Sequence, residues 1–328
     1  MKRFAALPLR FAALLLAGCL LAPALDAQAQ AYPSRPIRFV VPFPPGAATD
    51  TVTRILGVKM AESWGQPVLV ENRPGATGMV GAAVVAKSPP DGYTLVNVIS
   101  SHVVHPSLVL KVPFDPIADF TPIVMLMRSP NLFCVNLGLP VHSVAELVAN
   151  AKANPGKLSF GATGVGGSNH LTGELFKIAA QVDIQAVPYK GAAPAISDAI
   201  GGQIPMVIST IASVGPMVKA GRLRAIAVSS ARRDPSFPDV PTLAESGYPG
   251  FDASEWWAIL GPAGMPAEVV AKLNAEIDRI MKLPDVKARS AELGIEYIGG
   301  TPDEARAFMK SEMDKWSKVV RSAGLKPE

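Results

Sequence analysis

Cysteine is nearly absent from this 328-residue sequence: Cys19 and Cys134 are the only two. Cys19 falls in an N-terminal leader, so the processed chain holds one thiol and no intrachain disulfide. Stability must then come from a hydrophobic core, which a chain of this length can build. Aromatics are scarce at 6%, and no lysine–arginine run or basic–aromatic stripe occurs, so no nucleic-acid partner is expected. Beyond the leader no second apolar stretch of about 18 residues exists to span a membrane. Catalytic templates are missing as well. There is no G-x-S-x-G elbow, H-E-x-x-H pair, C-x-x-C or Walker A loop. The four histidines (His102, His105, His142, His170) make no i, i+4 metal pair and read as surface or loop residues. Neither a metal nor a cofactor is expected, and no catalytic residue stands out. Charged residues at 18%, a formal charge of +4 and a pI near 9.0 describe an ordinary globular chain.

The first 31 residues read as an export signal. Lys2, Arg3 and Arg10 precede an apolar Phe11–Leu25 region, and Ala27-Gln-Ala29 and Ala29-Gln-Ala31 are both A-x-A cleavage sites. Three basic residues and one acidic residue leave with it, taking the formal charge to +2. The expected location is a bacterial periplasm. Leu16-Ala-Gly-Cys19 also fits a lipoprotein box, but the apolar stretch from Arg10 to Ala17 is short, which favours the free form.

The rest of the chain alternates strand and helix. Strand Ile37–Val41 leads into a helix through Trp64 that Thr49 can cap and Gly65 ends. Strands Val68–Val70 and Thr94–Ile99 complete a βαβαβ unit, hence a parallel sheet. A second set follows: strand Leu158–Ala162, helix Ser168–Ala180 capped by Ser168, strand Gln185–Pro188, helix Ala192–Ile200, and strands Pro205–Ser209 and Leu223–Ser229. Capping boxes open helices at Ser143/Glu146 and at Thr301/Glu304, and the C-terminal part turns helical from Pro266. Thr121–Met127 and Trp256–Leu260 read as two crossing strands. The predicted architecture is α/β with two lobes, 32–130 plus 253–328 and 131–252, joined by those strands around a cleft.

Three loops at carboxyl ends of strands are unusual, and that is where open α/β sheets bind ligands. The first, Pro42–Asp50, holds Pro42, Pro44 and Pro45 before Gly46-Ala47-Ala48. Its prolines stiffen it, and its small residues let a ligand approach backbone N–H groups at a helix start, an anion site without side-chain charge. The second is Ser100-Ser101-His102, and the third is the glycine loop Gly161–His170. Ser168 and His170 suggest a nucleophile and base only superficially, because neighbouring helix N-terminal residues point different ways.

Tyr32-Pro-Ser-Arg-Pro-Ile37, Pro42-Phe-Pro-Pro-Gly-Ala-Ala-Thr-Asp50, Val70-Glu-Asn-Arg-Pro-Gly-Ala76, Asp91-Gly-Tyr-Thr-Leu95, Val187-Pro-Tyr-Lys-Gly191 and Pro238-Asp-Val-Pro-Thr-Leu243 resemble the Bug family. These are extracytoplasmic solute receptors of tripartite tricarboxylate transporters, and the resemblance runs through essentially the whole processed chain. It implies a type II periplasmic binding-protein fold, not an enzyme, that closes on a small carboxylate. The carboxylate would be held by backbone amides and bridging waters without an arginine clamp. By position the contacts would be Gly46, Ala47, Ala48, Thr49, Asp50, Ser100 and Ser101 on one lobe. Thr163, Gly167, Ser168, Asn169, His170, Tyr189, Lys190 and Ser209 would face them from the other. Implied partners are membrane permease subunits, or alternatively a sensor protein signalled without transport, and the receptor is expected to be a monomer. Two departures stand out: Gly46-Ala47 replaces the family's frequent Gly-Gly, and Ser209-Thr210 stand where many members carry an acidic residue. The second favours a carboxylate without an ammonium group.

Overall fold

The computed structural model describes residues 32–327. The export signal and the lipoprotein alternative at Cys19 lie outside the described residues. From Arg35 onward the chain forms one compact unit. Its elements, in order, begin with strand β1 (Ile37–Val41), helix α1 (Ala48–Trp64), β2 (Val68–Asn72), α2 (Met79–Ala86), β3 (Thr94–Ile99), α3 (Ser101–Leu108) and β4 (Phe120–Val135). Next come α4 (Val144–Ala153), β5 (Ser159–Thr163), α5 (Ser168–Ala180), β6 (Gln185–Tyr189), α6 (Ala192–Ile200), β7 (Met206–Thr210), α7 (Ile211–Lys219) and β8 (Arg224–Val228). The chain finishes through β9 (Ser254–Pro262), α8 (Ala267–Met281), α9 (Pro284–Glu292), β10 (Glu296–Gly299) and α10 (Pro302–Ser322).

Two lobes share this sheet system. In the first, β2, β1 and β3 are parallel, and β9, β4 and β10 add antiparallel. In the second, β6, β5 and β7 are parallel, and β4 and β8 complete the sheet. Strand β4 belongs to both: residues 120–130 pair with β9, and 131–135 pair with β7. The change of partner falls at Pro130, where a residue without an N–H leaves no ladder bond to break. Pro130 faces Ser254, the first residue of β9, so the chain returns to the first lobe where it left it. Helix α10 packs against α3, α5 and β4. It thereby touches two cores: Met309 packs with Val40, Val96 and Trp256, and Trp316 with Phe133, Phe160 and Phe176.

Three expectations are corrected, and three elements go beyond the sequence reading. Helices α3 and α7 and strand β10 were not legible: α3 holds Pro106, α7 holds Pro216, and β10 is four residues ending at Gly299. The first crossing strand extends well past Met127, to Val135. Thr49 and Ser168 do not cap; the caps are Ala47 and Gly167, neither with a side-chain hydrogen bond. His102, His105 and His170 are buried, and only His142 is exposed.

Candidate functional site

The first loop is closed from within by Asp50. Its Oδ2 accepts the Gly46 N–H at 2.9 Å, and Gly46 turns there with φ 84°. Arg54 Nε (3.0 Å) and Asn72 Nδ2 (2.8 Å) donate to the same carboxylate, and Asn72 Nδ2 also reaches the Phe43 carbonyl. Burial alone would raise the Asp50 pKa, but the bonds from Arg54, Gly46 and Asn72 hold it below the ordinary carboxylate value. Thr49 Oγ1 accepts Trp257 Nε1 at 2.8 Å, pinning the start of α1 to β9. Both predicted side chains are therefore used internally. What the loop leaves for a ligand are the first-turn N–H groups of α1, which begins without a side-chain cap.

At the second loop an acid missed in the sequence appears. Glu255 Oε1 accepts the Ser100 N–H (3.0 Å), the Ser100 hydroxyl (2.5 Å) and the Trp256 N–H (3.2 Å). Burial pushes this carboxyl up to about 7 despite those donors, and Glu312 adds repulsion. A charged residue opening an otherwise apolar strand was the only signal in the sequence. Ser101 Oγ donates to the Thr77 carbonyl, which draws Thr77 into the site.

The third loop is organised by Asn169. Its Oδ1 accepts Thr163 N–H, Thr163 Oγ1–H and His170 N–H at 3.2, 2.8 and 3.0 Å, while Nδ2 donates to the Ile208 carbonyl. His170 Nδ1 accepts the Gly166 N–H, and burial lowers its pKa, so the ring is a neutral brace. Ser168 Oγ accepts from Asn131 Nδ2 on β4 at 3.2 Å. A Cβ at Gly167 would lie 2.6 Å from the Thr163 carbonyl, so only glycine fits this helix start. Tyr189 donates a hydrogen bond from its hydroxyl to Asp198, Lys190 is exposed with no ion pair among the described residues, and Ser209 is buried where β7 pairs with β4 at Leu132.

The predicted residues thus gather in two groups. Gly46–Asp50 and Ser100–Ser101 lie at the carboxyl ends of β1 and β3, and Thr163–His170, Tyr189 and Ser209 at those of β5, β6 and β7. A cavity of about 210 Å³ lies between Thr77 and Ser101 on one side and Val165 and Gly166 on the other. A larger one of about 520 Å³ touches no predicted residue and sits under α10, beside Arg128, Trp256 and Phe308. Of the two, the smaller cavity is the one that borders the predicted loops. Among the described residues no group of three or more His, Cys, Asp or Glu could hold a metal ion, and no helix is long and apolar enough to cross a membrane.

The buried histidines carry a prediction of their own. His102 is driven down to about 3 and His105 to about 4, chiefly by burial, against an ordinary 6.5. Below pH 6.5 the unfolded chain binds protons that the folded one refuses, so stability falls as pH drops toward 4. Each histidine contributes a slope of about 1.4 kcal/mol per pH unit. Glu255, with its raised value, gives the opposite slope between its ordinary 4.5 and about 7. Urea unfolding of His105→Leu between pH 4.5 and 6 should therefore show a slope smaller than that of the parent by about 1.4 kcal/mol per unit. Parallel curves would contradict the burial argument.

A family model, "Tripartite tricarboxylate transporter family receptor", matches residues 52–325. Protein BugT of Bordetella pertussis is 38% identical over 305 residues, covering 92% of this chain and 94% of its own. A solved R. palustris protein with adipate is 36% identical with a TM-score of 0.79, covering 90% of this chain and 100% of that one. The MatC protein from Rhodopseudomonas palustris with bound malate is 32% identical with a TM-score of 0.75, covering 88% and 100%. A family match across most of the length, a relative at 38% identity and two lobes of the same architecture agree: the chain belongs to the receptor family of tripartite tricarboxylate transporters, the family of the Bug proteins.

Proposed function

We propose that this receptor binds a small mono- or dicarboxylate between its lobes in the periplasm and presents it to the permease subunits of a tripartite transporter. The lobes would be 32–130 plus 253–328 and 131–252, bending where Pro130 faces Ser254. The observation that carries the reading is where two helix starts lie. α1 and α5 begin at the carboxyl ends of β1 and β5, one on each lobe, and, like most helices of the described chain, neither has a side-chain cap to occupy its first N–H groups. Uncapped N–H groups and the helix dipole favour a carboxylate, and closure would bring donors of both lobes onto one anion. The neighbours solved with adipate and with malate support the ligand class. Ala48, Thr49 and Asp50 would act through backbone N–H groups, as would Gly167, Ser168 and Asn169. Gly46 and Ala47, whose N–H groups go to Asp50 and to the Pro44 carbonyl, would let the ligand approach the loop closely. Ser100, Ser101, Thr163, His170, Tyr189, Lys190 and Ser209 would shape the walls.

Thermal unfolding of the processed protein, refolded to strip bound ligand, tests this against a panel including adipate and malate. A ligand at one hundred times its Kd adds about 2.7 kcal/mol, which for a chain this long raises the Tm by about 5 °C. A shift confined to one chemical subset names the ligand class. No shift with any carboxylate removes the proposal.

A further inference from the structure

We propose that Glu255 donates a hydrogen bond from Oε2 to the bound anion, so that this receptor captures a carboxylate together with a proton. The inference rests on the carboxylate reading above and deepens it. The geometry assigns the two oxygens different roles. Oε1 takes three donors, Ser100 N–H, Ser100 Oγ–H and Trp256 N–H, and so stays an acceptor. Oε2 accepts no hydrogen bond among the described residues, and the residue is half-buried on β9, bonded to Ser100, a candidate ligand contact. A proton on this carboxyl therefore resides on Oε2, the oxygen that takes no donor. A neutral carboxyl adds one donor to those of the helix starts, and a carboxyl–carboxylate bond is of the strong, charge-assisted kind.

No cation is bonded to Glu255 among the described residues, and the one unpaired cation among the candidate contacts, Lys190 on the other lobe, is exposed. On α10, Glu312 is itself an acid, and Lys315 is committed to it. On β4, Arg128 pairs with Glu296 of β10. On α3, His102 and His105 are neutral near pH 7. On α5, His170 is a neutral brace, and Glu174 pairs with Lys177. On α1, Arg54 pairs with Asp50, and before β9 stands another acid, Asp252. The carboxyl is consequently poised near neutrality, at about 7. A second anion arriving beside it favours protonation further.

The test is calorimetric titration of the processed protein with adipate and with malate, both doubly ionised from pH 6.0 to 8.5. It is run in two buffers of different ionisation enthalpy, so that proton uptake is counted. Affinity should fall about 30-fold across that range, tenfold for each pH unit above the carboxyl's own value. Proton uptake should approach one per ligand at the alkaline end. Glu255→Gln keeps an acceptor for Ser100 and a donor toward the ligand, so its affinity should not move with pH and its proton uptake should vanish. Wild-type binding that is flat with pH, or a pH dependence that survives in Glu255→Gln, overturns the proposal. So does tighter binding of aspartate than of malate above pH 8, which would make Glu255 a counter-charge for an ammonium group. Should the variant not fold, the wild-type proton count decides alone. Failure of every carboxylate to bind at pH 6.0 sinks the receptor reading, and this one with it; binding that ignores pH sinks only this one.

Discussion

Glu312→Leu is expected to lower the unfolding free energy by about 2–6 kcal/mol. The carboxylate accepts Trp256 Nε1 at 3.0 Å and Trp316 Nε1 at 2.9 Å, and it also pairs with Lys315. Both indoles are 1% exposed, so without Glu312 two buried N–H donors lose their acceptor and water cannot replace it. Each orphaned donor costs about 1–3 kcal/mol. Lys315 is half-buried and stays solvated, so it adds little. The two tryptophans belong to different cores. Trp256 packs with Val40, Val96 and Leu260, and Trp316 with Phe133, Phe160 and Phe176. One carboxylate on α10 thus ties the packing of both lobes at the junction of β4 and β9. Glu312→Gln keeps an oxygen that accepts both indoles and should recover most of the loss. Urea unfolding midpoints with an unchanged slope would report this as stability and not as a change of state. A leucine variant within about 0.5 kcal/mol of the parent would show that the indoles do not depend on this acceptor.

Local signals explain what was legible. The strand Thr94–Ile99 and the helices Ser168–Ala180 and Ala192–Ile200 match the sequence reading residue for residue. Each is bounded by turn residues that act on their immediate neighbours: Gly92-Tyr93, Gly166-Gly167, Lys190-Gly191. α3 and α7 failed the same reading because Pro106 and Pro216 lie inside them. In α3 the proline costs one bond of a helix otherwise held by packing, since Val103 and Val104 are buried. The buried histidines were misjudged for another reason. A neutral imidazole needs only an apolar slot and one partner. His102 finds them with Phe114 and Phe120, whose rings lie 5.3 and 4.8 Å away, and with the Pro116 carbonyl. Those contacts are ten to twenty positions along the chain and follow no period. Glu255 is further still from local reach, because Ser100, which defines its role, is 155 residues away. The anion loops were legible because backbone chemistry is written in glycine and proline. The side chains that brace them were not, since their partners arrive from other elements.

Asn169 turns that difference into a measurement. Position in the family motif implies a ligand contact at Asn169, yet its side chain is fully engaged inside the protein. Oδ1 holds three donors from Thr163 and His170, and Nδ2 holds the Ile208 carbonyl. The residue is 6% exposed, so Asn169→Leu, similar in size, leaves two backbone N–H groups and one carbonyl without partners. A loss of about 2–5 kcal/mol in the unliganded protein is expected, somewhat below the simple sum because the Thr163 hydroxyl can turn to another acceptor. Asn169→Asp keeps the acceptor oxygen and, at a pH low enough to protonate it, also a donor toward the Ile208 carbonyl, so under those conditions it should cost less; ionised, it would set acceptor against acceptor. Affinity for adipate should fall in both variants in the same order as stability, because the loop that carries the Gly167 and Ser168 N–H groups is held by this amide. A side chain that touched the ligand and nothing else would behave in the opposite way, losing affinity at constant unliganded stability. Measuring both quantities on the two variants therefore separates a brace from a contact. The hydrogen bonds favour the brace, and the Asn169 backbone N–H, in the first turn of α5, is the group left to meet an anion.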